Sequence, residues 1–146
     1  MKRYLGALFV MMSPATNSFA CECPPPSAVS DFDRADAVFV AVPSRIEDTI
    51  AISGPRRITL KVTEALKGNL GPVVSVKTPA SQAACGIPFA LAKSYLVFAE
   101  ASARGWVVRA CEGTKLMSQV TNEEMAALRK PTKPSHAVRA PREPER

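Results

Sequence analysis

From residue 58 to residue 63 the chain reads Ile-Thr-Leu-Lys-Val-Thr, setting Ile58, Leu60 and Val62 against Thr59, Lys61 and Thr63. A period of two is that of a strand with one buried and one wet face. The run Ala37 to Ser44 (AVFVAVPS) is apolar almost throughout and reads as a buried strand. Lys67-Gly68-Asn69-Leu70-Gly71-Pro72 supplies turn residues ahead of Val73 to Thr78, which predicts a hairpin with the preceding strand. Tyr95 to Ala99 and Trp106 to Arg109 read as two more strands, joined by a turn near Ala103-Arg104-Gly105. Five strands is the count of a small Greek-key barrel, so the expected fold is mainly β. One or two short flanking helices complete it. The first runs from Ala28 to Arg34, after Pro24-Pro25-Pro26; the second runs from Asn122 to about Arg129, with Thr121 and Glu124 at capping-box spacing. No internal repeat is visible.

The first twenty residues follow a different pattern. Lys2 and Arg3 precede a mostly apolar run from Tyr4 to Met12, and a polar stretch then ends in Ser18-Phe19-Ala20. This is the layout of a signal peptide cleaved after Ala20. A retained membrane anchor fails on length. Pro14, Thr16, Asn17 and Ser18 interrupt the run well short of the roughly 20 apolar residues a span requires. A lipoprotein signal is the rival reading, but such signals usually carry a leucine-like residue where Ser18 stands and a small one where Phe19 stands. Removing residues 1–20 from the 146 leaves 126, enough for one domain over residues 21–129. Export to the periplasm or the extracellular space follows. Cys21 then becomes the mature amino terminus, bringing an α-amine, a carbonyl and a sulfur to one point.

All four cysteines, Cys21, Cys23, Cys85 and Cys111, lie in the mature part. An even number in an exported chain argues for two disulfides. Three pairings are possible; Cys21–Cys23 would close a strained tiny ring, which also disfavours its companion Cys85–Cys111. Zinc is a poorer reading of the four, because neither Cys85 nor Cys111 belongs to a second close pair in sequence. A redox centre at Cys21-Glu22-Cys23 lacks the βαβ surroundings of a thioredoxin.

Charge is unevenly spread. Residues 21–128 carry 11 Lys/Arg and 11 Asp/Glu, while residues 129–146 carry six basic residues against Glu143 and Glu145. Pro131, Pro134, Pro141 and Pro144 fall in the same stretch, so residues 130–146 read as a basic disordered tail. The high pI thus belongs to the ends of the chain, and no nucleic-acid partner is expected. Catalytic equipment is scarce. The only histidine is His136, in the tail, and no HExxH motif or Gly-rich phosphate loop appears. Asp31, Asp33 and Asp36 read as water-exposed acids around the first helix and its exit. An enzyme is not expected.

Residues 21–38 carry a more specific pattern. Cys21-Glu22-Cys23-Pro24-Pro25-Pro26, then Phe32, then Ala35-Asp36-Ala37-Val38 resembles the amino terminus of the tissue inhibitors of metalloproteinases. That family's pattern is C-x-C-x-P-P, a phenylalanine six residues after the second proline, then a small residue and Asp-x-Val. Lys67-Gly68, Cys85-Gly86 and Cys111 follow in the family's order, so the similarity runs from Cys21 to about Cys111. Two features depart from it. Asp33 stands where the first cysteine of a third disulfide would fall, and the animal inhibitors' second domain has no counterpart.

The resemblance implies a netrin-like, OB-type barrel with disulfides Cys21–Cys85 and Cys23–Cys111. It also implies an inhibitor whose Cys21 amine and carbonyl chelate the catalytic zinc of a partner metalloprotease, with no cofactor or metal of its own. A free α-amine has a reference pKa of about 7.7–8.0, so zinc displaces only a weakly held proton. In the family the second residue enters the protease's specificity pocket, which makes Glu22 the specificity residue here. A carboxylate placed unpaired in an apolar pocket costs several kcal/mol, so Glu22 either selects a basic pocket or abolishes inhibition. The expected form is a monomer without a transmembrane anchor. A non-inhibitory binding or structural module of the cell envelope is the alternative from a different class.

Overall fold

The computed structural model describes residues 21, 23–25, 27–49 and 54–130. The expected signal peptide (1–20), Glu22, and the tail from 131 onward, including His136, lie outside the described residues.

Helix α1 (Ala28–Arg34) leads into strand β1 (Ala37–Glu47), which pairs antiparallel with β2 (Arg56–Lys67) on one side and with β4 (Tyr95–Ser102) on the other. Strand β3 (Val73–Thr78) forms the expected hairpin with β2. Short β5 (Gly105–Val107) lies parallel to β3 and antiparallel to β4, so the order β1-β2-β3-β5-β4-β1 closes a five-stranded mixed barrel. That is the small five-stranded barrel the strand count predicts, and it agrees with the OB-like class the resemblance implies. Three register shifts along β1 and β2, the first at Val38/Phe39, bend this pair. Such bulges increase local twist and help a small sheet close on itself. Four elements were not anticipated: β6 (Lys115–Leu116), paired to β4, and the three 3-10 turns at Gln82–Ala84, Ala110–Glu112 and Met117–Gln119.

The burial of β1 and β4 explains the apolar run at the start of β1. Ala37, Phe39 and Ala41 face the barrel interior with Ile58, Leu60, Val76, Tyr95 and Val97. Their neighbours Val38 and Val40, with Leu96 and Phe98 from β4, instead meet Phe32 and Ala35 of the α1 segment and Met125 and Leu128 of helix α2 (Asn122–Leu128). Both faces of this part of the wall are dry, so alternation is lost there. It survives in β2 from Ile58 to Thr63, where the outward Thr59, Lys61 and Thr63 belong to neither hydrophobic cluster. Phe39, Tyr95 and Phe98 are all fully or nearly buried, though Phe98 belongs to the outer layer rather than the barrel interior.

The residues of the α1–β1 pattern each have a packing or hydrogen-bonding reason. Phe32 and Ala35 fill the outer layer, and the Asp36 Oδ2 accepts a hydrogen bond from the Ala101 amide at 2.7 Å. Lys67 Nζ donates to the carbonyls of Phe32 (2.7 Å) and Asp33 (3.0 Å), placing a positive charge on the open carbonyls at the end of α1. The structure corrects one expectation about the three acids. Asp33 is exposed, but Asp31 is buried and paired with Arg34, and Asp36 is half-buried in the hydrogen bond just described. Phe32 packs the helix into the outer layer with Leu96 and Phe98, and the close approach of Gly113 covers Asp31, which removes this acid from water.

Candidate functional site

The connection from residue 79 to residue 94 closes one end of the barrel with Ile87 and Phe89, the latter edge-on to Tyr95 at 4.8 Å between ring centroids. Before it does so, it makes a tight turn that presents Cys85. Ser81 Oγ accepts from the Ala84 amide at 3.3 Å, and the Ser81 carbonyl accepts from the Gly86 amide at 2.8 Å. Cys85 itself takes a left-handed backbone (φ 63°), which an L-residue adopts only at some cost. Buried Thr78 steadies the exit, its Oγ1 accepting from the Ile87 amide at 2.9 Å.

The second cysteine-bearing turn follows β5. Its Ala110 amide donates to the Cys85 carbonyl at 2.8 Å, which docks one turn on the other and brings Cys111 beside Cys85. Glu112 holds this turn from within. One carboxylate oxygen accepts from the Arg109 amide at 3.2 Å, and the other pairs with the Arg109 guanidinium at 3.1 Å. Burial pushes the Glu112 carboxyl up from its ordinary range, and the hydrogen bond from Arg109 opposes that shift. Gly113, at φ 91°, ends the turn against α1. A Cβ there would lie 3.2 Å from both Asp31 and Phe98, so the close approach needs glycine.

Residues 21 and 23 are fastened onto these two turns. Cys21 is bonded to Cys85 with Cα atoms 5.5 Å apart, and Cys23 to Cys111 with Cα atoms 5.0 Å apart, both within the ordinary disulfide span. No free cysteine occurs among the described residues. The two bridges touch: Cys21 Sγ lies 3.6 Å from Cys111 Sγ, and the sulfurs of Cys21, Cys85 and Cys111 all lie within 4.8 Å of one another. Sequence spacing had kept Cys85 and Cys111 apart, 26 residues from each other; the hydrogen bond between their turns unites them in space. Cys21 is half-buried, while Cys23, Pro24 and Pro25 are exposed. Cavities of about 250 and 270 Å³ lie against this segment, and Pro24, Asp31, Phe98 and Cys111 border both.

Of the residues expected to act, the structure thus brings Cys21, Cys23, Cys85 and Cys111 into one cluster, and Glu22 lies outside the described residues. The sequence reading named Gly86 as the partner of Cys85 in the Cys85-Gly86 pair, but missed Ala110 and Glu112, which hold the cluster together and carry no local signal. No helix among the described residues is long and apolar enough to cross a membrane. Compared with known proteins, the chain matches no family model and no curated protein sequence.

Proposed function

We propose that this chain is an exported inhibitor of zinc metalloproteases that acts through its own mature amino terminus. The observation that carries the reading is the double fastening of Cys21 and Cys23. Two disulfides tie Cys21 and Cys23 to adjacent turns at the rim of a closed barrel, with Cys21 half-buried and Cys23 in water. A terminus held in this way loses little conformational freedom on docking, so more of the interaction energy appears as affinity. Cleavage after Ala20 leaves the Cys21 amine free, and the amine and carbonyl of one residue form a five-membered chelate on a metal. In an open zinc site that chelate replaces the reactive water, leaving the protease without its nucleophile. Glu22 follows directly and sets which specificity pockets accept the inhibitor. Two disulfides suit an oxidising compartment outside the cytoplasm.

The test is inhibition of a panel of zinc proteases by protein that begins at Cys21, compared with the same protein carrying one extra alanine before Cys21. The extension turns the amine into an amide, a far poorer metal ligand, and shifts the backbone out of register. Inhibition is expected to vanish while the melting temperature stays unchanged. Glu22→Thr is expected to extend inhibition to proteases with apolar pockets, because it removes the cost of burying a charge. Equal inhibition with and without the extra alanine rules out the chelating terminus. Absence of inhibition across the panel, even with threonine at position 22, favours the non-inhibitory binding module.

A further inference from the structure

The contact between the two disulfides carries a chemistry of its own, independent of the inhibitor reading. Disulfides exchange when a thiolate reaches a disulfide sulfur, and access decides which sulfur is attacked. Cys23 is exposed, and a cavity of about 250 Å³ opens onto both Cys23 and Cys111, leaving room for a small thiol reductant at that bridge. Cys21 and Cys85 are both half-buried. Behind the exposed bridge, Cys111 Sγ lies 3.6 Å from Cys21 Sγ with Cys85 Sγ within 4.8 Å of both, so once its own bridge opens Cys111 needs only to swing into line with the Cys21–Cys85 bond to attack Cys21. The turns bearing Cys85 and Cys111 are joined through the Ala110 amide and the Cys85 carbonyl, so Cys111 stays beside Cys21 when its own bridge opens.

We propose that the four cysteines form a thiol–disulfide relay, in which a dithiol that reduces Cys23–Cys111 sets off transfer of the remaining disulfide from Cys21–Cys85 to Cys21–Cys111. In the first step a reductant thiolate attacks Cys23 Sγ, the Cys23–Cys111 bond breaks, and Cys111 leaves as a thiolate. The second thiol of the reductant resolves the mixed disulfide, so the dithiol is oxidised to its own disulfide and Cys23 becomes a thiol. The Cys111 thiolate then attacks Cys21 Sγ, forming Cys21–Cys111 and expelling Cys85 as a thiolate that takes up a proton. Two electrons enter and one disulfide remains. Its effect is to re-anchor Cys21 from the Ser81–Gly86 turn to the turn after β5, and to leave Cys23 and Cys85 as free thiols. The exposed bridge is the point of entry and the half-buried one is what changes.

The experiment is to treat the folded protein with one molar equivalent of dithiothreitol near pH 8. Thiols are trapped with N-ethylmaleimide at increasing times, and the disulfides are mapped by peptide mass spectrometry. At the earliest times label is expected on Cys23 and Cys111; it then moves from Cys111 to Cys85, and Cys21–Cys111 becomes more than half of the singly reduced protein. Reduction at about pH 4 with a phosphine, where a thiol of ordinary pKa is almost wholly protonated, is expected to leave the label on Cys23 and Cys111. A static difference in exposure would not respond to pH in that way. Singly reduced protein that keeps Cys21–Cys85 throughout at pH 8, or that is labelled first on Cys21 and Cys85, overturns the relay. In Cys23→Ser protein, Cys111 has no bridge to its own partner, and Cys21–Cys111 with free Cys85 is the expected product. Retention of Cys21–Cys85 with free Cys111 in that variant also overturns it.

Discussion

At the scale of single residues, the shape of the cysteine cluster depends on a glycine. A Cβ built on Gly86 would lie 2.1 Å from the Pro79 carbonyl oxygen and 2.8 Å from that of Ser81. Both are backbone atoms of the turn that presents Cys85, so neither can rotate away. Gly105 makes the useful contrast. Its φ of 101° is unfavourable for an L-residue, but no atom lies within 4 Å of the position of its Cβ. Gly86→Ala is therefore expected to cost about 3 kcal/mol through overpacking, and Gly105→Ala about 1 kcal/mol through backbone conformation alone. Urea unfolding of both variants checks this. A larger loss at Gly105 would mean that backbone dihedral rather than space governs these turns. Glu64 shows the opposite case of a residue that does little. Its carboxyl is held below the ordinary range, chiefly by the hydrogen bond from Arg129, yet Arg129 is exposed and Glu64 only half-buried, so water screens the pair.

At the scale of elements, α2 shows how a sequence pattern can be half right. Thr121 Oγ1 accepts from the Glu124 amide at 3.1 Å, which is one half of a capping box. The reciprocal half is missing, because the Glu124 carboxylate reaches Lys115 of β6 at 2.7 Å instead. Thr121→Ala is expected to remove the cap and cost about 1 kcal/mol. With Met125 and Leu128 as the buried anchors of α2, the loss should appear as faster amide exchange confined to that helix. Uniform exchange across the barrel would contradict a local cap. The same example marks what was legible in the sequence. Thr121 and Ile58–Thr63 were readable because each follows a local rule of capping or periodicity, and Ala28–Arg34 because it follows the proline run at 24–26. The two-residue β6 was not, since Lys115-Leu116 has no period and forms only by pairing with β4. The docking of the Cys85 turn on the Cys111 turn was equally hidden, because it rests on a backbone hydrogen bond between residues 25 positions apart. Also legible in the sequence was the spaced pattern of residues 21–38. Within it Phe32, Ala35, Asp36 and Val38 prove to be packing and hydrogen-bonding residues of the α1–β1 junction. That pattern therefore reports how the junction is built, whatever the amino terminus binds.

At the scale of the whole molecule, the two disulfides act as one constraint counted twice. Taken alone, Cys21–Cys85 and Cys23–Cys111 span 64 and 88 residues, for which chain entropy gives about 4.3 and about 4.6 kcal/mol. They are not independent, however. Once Cys23–Cys111 is closed, Cys21 can depart from Cys85 only by the two residues back from Cys23 and the 26 residues from Cys111. The second bridge thus closes an effective loop of about 28 residues, worth about 3.6 kcal/mol, and the same loop results whichever bridge forms first. Replacing both cysteines of either bridge by serine is therefore expected to cost nearly the same, about 3.6 kcal/mol. Replacing all four should cost about 8 kcal/mol, more than half of the stability of a typical domain and enough to leave a small one unfolded at 37 °C. Guanidinium unfolding of the two double-serine variants and the quadruple variant provides the check. Losses that differ by more than 2 kcal/mol between the double variants would show that native contacts at one bridge, rather than the shared closure, dominate. Near-equal losses would mean that the barrel's hold on Cys21 and Cys23 is a property of the pair of bridges, so that either bridge alone keeps the amino-terminal cysteines near the barrel at a reduced stability.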